Sequence, residues 1–178
     1  FQNKMNNNIK DLTNQAIFLS QKGAFKEAIA CYFKALKIEQ KNHIIWFNLG
    51  TTYKNFGKFK EAKTCFEKAL DLKESDADVL KALALTYFEL KDFDNAEKYC
   101  LEGLTIHRKD FELWNIIGVI YFNTENYHDA SSAFEIASSL NPFDYNVLYN
   151  LRDTYEELGN SIGKAECEEK MKKLINVL

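Results

Sequence analysis

Three histidines, His43, His107 and His128, and four cysteines, Cys31, Cys65, Cys100 and Cys167, are the side chains best suited to nucleophilic, acid–base or metal chemistry. Their spacing supplies none of it. The histidines fall at unrelated positions, the cysteines form no C-x-x-C pair, and no histidine stands beside a cysteine at metal-ligand spacing. The carboxylate pairs Glu156–Glu157 and Glu168–Glu169 are sequence neighbours, and adjacent residues on a helix point about 100° apart, so neither pair converges on one substrate. No glycine-rich phosphate loop, nucleophile elbow or H-E-x-x-H motif occurs. The chain is therefore expected not to be an enzyme and to need no cofactor or metal.

Bulk properties exclude further classes. A net charge of −3 lacks the clustered basic excess of a nucleic-acid surface. The longest apolar run, 116–122, is far shorter than the roughly 18–20 residues that cross a bilayer, so no membrane insertion is expected. Cysteines without a pairing pattern suggest reduced thiols and a cytoplasmic location, each thiol acting as a small buried hydrophobe. One proline, seven glycines and many strong helix formers point to helices.

What positions these side chains is a repeat. Ala28, Ala62, Ala96 and Ala130 stand 34 residues apart. In the same phase, Ala16, Gly50, Ala84 and Gly118 form a small-residue column, and Phe25, Phe59, Phe93 and Tyr127 an aromatic one. The units are 9–42, 43–76, 77–110 and 111–144, with 145–178 as a weaker fifth. Residues 1–8 read as a leader, with Phe1–Gln2 as the remnant of a cleavage tag.

Trp46, Leu49, Gly50 and Tyr53, spaced by threes and fours, lie on one face of a first helix, and Ala62, Phe66 and Ala69 on one face of a second. Gly23, Gly57 and Gly159 supply the left-handed backbone that ends a first helix. Asn42, Asp76, Asp110 and Asp144 each stand where an N-cap is needed. Gly50 is expected to face Ala62, letting the two helices approach closely. The fifth unit departs: Arg152 stands in the small column and Ala165 comes one residue late, so its helix pair is expected to open or slip in register. Its charged last helix reads as a solvating cap.

The pattern W-x2-L-G-x2-Y, then A-x3-F and A, resembles the tetratricopeptide repeat. Trp46-Leu49-Gly50-Tyr53 and Trp114-Ile117-Gly118-Tyr121 carry its first half, and Ala62-Phe66-Ala69 and Ala130-Phe134-Ala137 its second, with Pro142 in the proline slot. The resemblance covers 9–144 fully and 145–178 loosely. It implies an all-α fold, a right-handed α-α superhelix of about five helix–turn–helix repeats. It also implies a non-catalytic scaffold that binds a peptide or protein segment in a concave groove lined by the first helices.

Matching the family's groove positions onto this chain gives Asn14, Phe47, Asn48, Lys81, Leu85, Phe88, Asn115, Val119, Phe122, Tyr149 and Asn150. Asn14, Asn48 and Asn150 share one column and Asn115 lies one residue off it. Such a row of carboxamides can hydrogen-bond a peptide backbone, each offering a donor and an acceptor, although asparagine is also common in this family column. Phe47, Leu85, Phe88, Val119, Phe122 and Tyr149 form an apolar strip, a partner site where exposed and ordinary packing where neighbouring repeats cover it. Asp153, Glu156 and Glu157 gather at one end, which favours a neutral to basic segment.

The basic clamp that some family members use for a terminal carboxylate is missing in both registers. Thr13, Ile17, Asn48, Asp78 and Ala82, or Lys81, Leu85, Ile116, Asn146 and Asn150, lack the necessary cations. Two rival functions stand beside the scaffold. One is the targeting portion of a larger enzyme such as a protein glycosyltransferase, whose repeat domains carry a similar asparagine row. The other is a self-assembly module, with Leu174–Leu178 or the groove docking on another copy.

Overall fold

The computed structural model describes the backbone of residues 2–175 and the side chains of residues 8–175. Ten α-helices and no strand occur among the described residues: α1 (Gln2–Gln21), α2 (Phe25–Ile38), α3 (His43–Asn55), α4 (Phe59–Leu72), α5 (Ala77–Glu89), α6 (Phe93–Ile106), α7 (Phe111–Asn123), α8 (Tyr127–Leu140), α9 (Tyr145–Glu157) and α10 (Ser161–Ile175). The expected leader at 1–8 falls mainly on residues whose side chains lie outside the described set, as do Val177 and Leu178 of the apolar end.

The caps form as their chemistry requires. Asn42 Oδ1 accepts from the amides of Ile44 and Ile45 at 3.0 and 3.2 Å, and Asp110 Oδ1 from Glu112 and Leu113 at 3.0 and 3.1 Å. Asp76 caps α5 in the same way, and Asp144 Oδ1 caps α9 through the single amide of Val147 at 2.9 Å. Each odd-numbered helix ends in one motif, a left-handed residue followed by an amide that reaches back to the preceding turn. Lys58 N, for example, donates to the Tyr53 carbonyl at 2.8 Å. Gly23, Gly57 and Gly159 hold that left-handed position with φ of 78°, 75° and 68°. Lys91 and Glu125 occupy it in the other two repeats, at 62° and 61°. The repeat phase keeps the turn there even without glycine.

The chain divides into two compact units, Phe1–Asp92 and Phe93–Leu178. In the first, α1–α2 and α3–α4 are packed pairs and α5 lies on α4, with α1, α3 and α5 touching in sequence. In the second, α7–α8 and α9–α10 pair, α6 lies on α7, and α7 touches α9.

The small column works differently from expectation. A Cβ on Gly50 would lie 2.7 Å from Phe66 Cε1, and one on Gly118 2.6 Å from Phe134 Cε1. The glycine is therefore required by the aromatic ring of the partner helix, rather than by Ala62, which is itself fully buried. The fifth repeat also differs from the sequence reading. α10 starts at Ser161, in phase with Phe25, Phe59, Phe93 and Tyr127, so the register does not slip. Ala165 is exposed, and Gly163, Cys167 and Met171 supply the buried face of α10. The position that holds a ring in α2, α4 and α8 is taken by Glu168, so no aromatic demands a glycine where Arg152 stands.

Trp46 and Trp114 are architectural. Their indole N–H groups donate to the carbonyls of Gln40 and Arg108, each at 2.9 Å, tying a first helix to the preceding loop. A second tie joins successive repeats. The hydroxyls of Tyr87, Tyr121 and Tyr155 donate to Glu67, Glu97 and Glu135 at 2.8, 2.6 and 2.9 Å.

Candidate functional site

In the first unit the expected site residues lie on α1, α3 and α5. Asn14 is exposed and borders a hollow of about 260 Å³ with Ile9, Thr13, Asn42 and Ile44. Thr13 Oγ1 is buried there with no hydrogen-bond partner among the described residues. Phe47 is half core: its ring centroid lies 5.6 Å from that of Phe66, tilted by 51°. Asn48 is half-buried beside it, and its carbonyl accepts from the Thr52 hydroxyl at 3.0 Å. Lys81, Leu85 and Phe88 share one face of α5 by helical spacing and are all half-buried. The Lys91 ammonium stands 5.3 Å from the Phe88 ring centroid.

In the second unit the geometry is tighter. Asn150 Nδ2 donates to Asn115 Oδ1 at 3.0 Å, joining α9 to α7. The off-column position of Asn115 is what makes this bond, since the column residue itself is Ile116. Exchanging the two amide orientations reverses the donor but leaves the pair with one acceptor and one donor to offer. Beside the pair is a cavity of about 120 Å³ lined by Val119, Phe122, Asn123, Asn150 and Asp153, with the buried Phe134 ring at its base. Phe122 meets Tyr127 edge-on at 5.3 Å. Tyr149 is 44% exposed with the Arg152 guanidinium 4.1 Å from its ring centroid.

The acidic end is partly neutralised. Arg152 hydrogen-bonds Asp153, and Lys164 pairs with Glu156 at 2.9 Å. Glu157 is exposed. An apolar cavity edged by an amide pair and one carboxylate can hold a small apolar side chain and align a peptide group beside it.

Asn123 and Asp153 belong to this cavity although the asparagine row and the apolar strip do not include them. Both fall at groove-facing repeat positions, one helical turn from Val119 and Asn150, though outside the row's column. The tyrosine–glutamate bonds also had a signal. Glu67 and Glu135 share a repeat position, while Glu97 substitutes from one turn away because Leu101 stands in its place.

The thiols are inert. All four are buried, and burial pushes Cys65 and Cys100 up to about 12. No group of three or more histidine, cysteine or carboxylate side chains able to hold a metal occurs among the described residues. No helix among them is long and apolar enough to cross a membrane.

This architecture is that of a helix–turn–helix repeat protein. Models of the tetratricopeptide repeat match residues 44–76, 77–109 and 111–144, and a TPR repeat model matches residues 19–55. The chain belongs to the tetratricopeptide repeat family, and its fold is that of a protein-interaction scaffold. No curated protein matches it significantly in sequence. Among solved structures, MamA residues 41-end from Desulfovibrio magneticus RS-1 is 18% identical, with 96% of each chain covered and a TM-score of 0.87. PilF of Pseudomonas aeruginosa is 17% identical over 96% of this chain and 78% of that one, with a TM-score of 0.84. YrrB, described as a TPR protein with an unusual peptide-binding site, is 25% identical over 92% of this chain and 84% of that one, with a TM-score of 0.74.

Proposed function

We propose that the protein is a non-catalytic scaffold that holds a peptide or protein segment against the faces of its odd-numbered helices. The observation that carries this is the Asn115–Asn150 hydrogen bond beside the cavity of Val119, Phe122 and Asp153. A pair of amides held in place at the rim of an apolar hollow presents fixed polarity to a backbone and takes an apolar side chain without further rearrangement. In the first unit, Asn14, Asn48, Lys81, Leu85 and Phe88 provide the corresponding face, with Phe47 contributing only its free edge. The peptide-binding description of YrrB accords with this use of the fold. Asp153 and Glu157 favour a neutral to basic segment.

The test begins with partners captured from the native source by cross-linking and mass spectrometry, with the cross-linked residues mapped on the chain. Adducts concentrated on α1, α3, α5, α7 and α9 are expected. The double variant Asn150→Ala with Val119→Ser should lose capture while keeping its helicity. Adducts confined to the even-numbered helices, or unchanged capture by that variant, would overturn the proposal.

A further inference from the structure

Between the C-terminal halves of α2 and α4 lies an open cleft of about 560 Å³, within the range of ligand pockets. It shares no lining residue with the face assigned above, and is built from α2 and α4, the loop after α2 and Trp46 of α3. Leu36 forms its buried floor, and Phe33 and Leu72 expose 44% and 39% of their surfaces along its sides. Trp46 closes one wall, its ring fixed by the hydrogen bond to the Gln40 carbonyl. Lys37, Lys41 and Lys68 edge the cleft against a single carboxylate, Asp71. The Lys68 ammonium stands 4.3 Å from the Trp46 ring centroid.

Phe33, Lys37 and Lys68 are not demanded by the repeat. Phe33 stands in the column where Glu67 and Glu135 accept a tyrosine hydroxyl from the following repeat. The first repeat gives up that tie and leaves an exposed aromatic in its place. The second unit offers a comparison within the same chain. There Trp114 makes the same indole bond, to Arg108, yet Thr105, Ile136 and Ser139 stand at the positions of Lys37, Lys68 and Asp71. The architecture therefore forms without Lys37 and Lys68, while Lys109 stands at the position of Lys41, and no ion pair engages Lys37, Lys41 or Lys68 among the described residues.

We infer that this cleft is a second docking site, for an acidic protein segment that inserts one large aliphatic or aromatic side chain between Phe33, Trp46 and Leu72. Carboxylates flanking that anchor meet Lys37, Lys41 and Lys68. The apolar contact supplies most of the affinity, and the lysines supply selection for acidic sequences and faster encounter. The occupant differs in charge from the segment assigned to the odd-helix face, so the two sites need not compete.

The experiment uses the whole chain, 15N-labelled, titrated with a short acetylated peptide carrying glutamates on both sides of one leucine. The Trp46 indole resonance and the amides around Leu36 and Leu72 are expected to move, while the Trp114 indole stays in place. Replacing the glutamates by glutamine should weaken binding by about tenfold, and raising the salt should weaken binding of the glutamate peptide but not of the glutamine one. Replacing the leucine by alanine should abolish the shifts, as should Lys68→Glu combined with Lys37→Glu in the protein. Phe33→Ser, an exposed change that leaves the fold intact, should do the same. Equal binding of the glutamine peptide, shifts centred on Asn48 or Asn150, or no shift at millimolar peptide would each overturn the assignment.

Discussion

Gly118→Ala is the sharpest probe of how these helices are held. The new methyl carbon would meet Phe134 Cε1, Cδ1 and Cζ at 2.6, 2.7 and 2.9 Å. Carbon atoms in contact prefer roughly 3.5–4.0 Å, so the ring must withdraw by about 1 Å. It has little room to do so: Phe134 is 1% exposed and packs in one cluster with Ala130, Leu151 and Cys167. Overpacking of this kind costs ~1–3 kcal/mol. Replacing glycine by alanine inside a helix returns ~0.5–1 kcal/mol. The expected net loss is about 1–2 kcal/mol by these opposing terms. The first repeat shows that alanine can be accommodated against a ring, since Ala16 and Tyr32 are both buried in one cluster there, which argues for the lower half of that range. Trp114 reports the second unit alone once Trp46 is changed to Phe, so urea unfolding followed by its fluorescence isolates the relevant half. Phe134→Leu should cost ~1–2 kcal/mol by itself, because it leaves a cavity. Combined with Gly118→Ala it should cost less than the sum, with a coupling of about 1 kcal/mol. Additivity, or a Gly118→Ala variant as stable as its parent, would refute the contact between this glycine and the ring.

Glu125→Gly should stabilise the second unit by about 0.5–1 kcal/mol, since it releases the left-handed strain of a residue at φ 61° and gives back part of that in chain entropy. Gly159→Ala should destabilise by about 1 kcal/mol through strain alone, because nothing lies within 4 Å of the added methyl group; both changes are read by thermal melting. Burial raises the pKa of Asp76, but the Lys73 ammonium together with the amides of Val79 and Asp78 outweighs it and holds the carboxyl below its ordinary 3.8. The stability this gives is complete above 3.8 and disappears as pH falls through the lower folded value, so Asp76→Asn should flatten that part of an acid-unfolding curve. Burial, and then the Glu135 carboxylate, raises the Tyr155 phenol above its ordinary 10.0. Its contribution is complete below 10.0 and is lost as pH rises towards the folded value, so Tyr155→Phe should be less stable by ~0.5–1.5 kcal/mol at neutral pH and lose less in alkali.

The repeat period carried the fold because each column is a packing rule of its own, and the ten described helices, with the side-chain caps of α3, α5, α7 and α9, follow from it. Where a residue type and the phase disagreed, the phase prevailed. Lys91 and Glu125 take the left-handed turn that glycine takes elsewhere, and the fifth pair keeps its register despite Arg152. Glu168 stands where Tyr32, Phe66 and Phe134 supply a ring in other repeats, a change on the partner helix that Arg152 alone does not reveal. The candidate site was less legible. A column records which side of a helix a residue faces, but not whether a neighbour covers it, so Phe47 reads as a groove residue although its ring packs at a tilt against Phe66. Asn115 and Asn150 both stand in the asparagine row, but a row does not say that two of its members, 35 residues apart, bond each other. The lysine-edged cleft draws its lining from two even-numbered helices, a loop and one tryptophan, so no single face of any helix shows it.

The buried cysteines make the molecule its own recorder of local opening. With all four thiols buried, an alkylating reagent reaches them only when the surrounding helices part. Cys31, Cys65, Cys100 and Cys167 lie in four different repeats, so the masses of peptides modified over time would give four separate opening rates along one chain. In a repeat array, where each unit leans only on its neighbours, those rates would show which end frays first and whether an occupied cleft beside Leu36 slows the clock at Cys31 and Cys65.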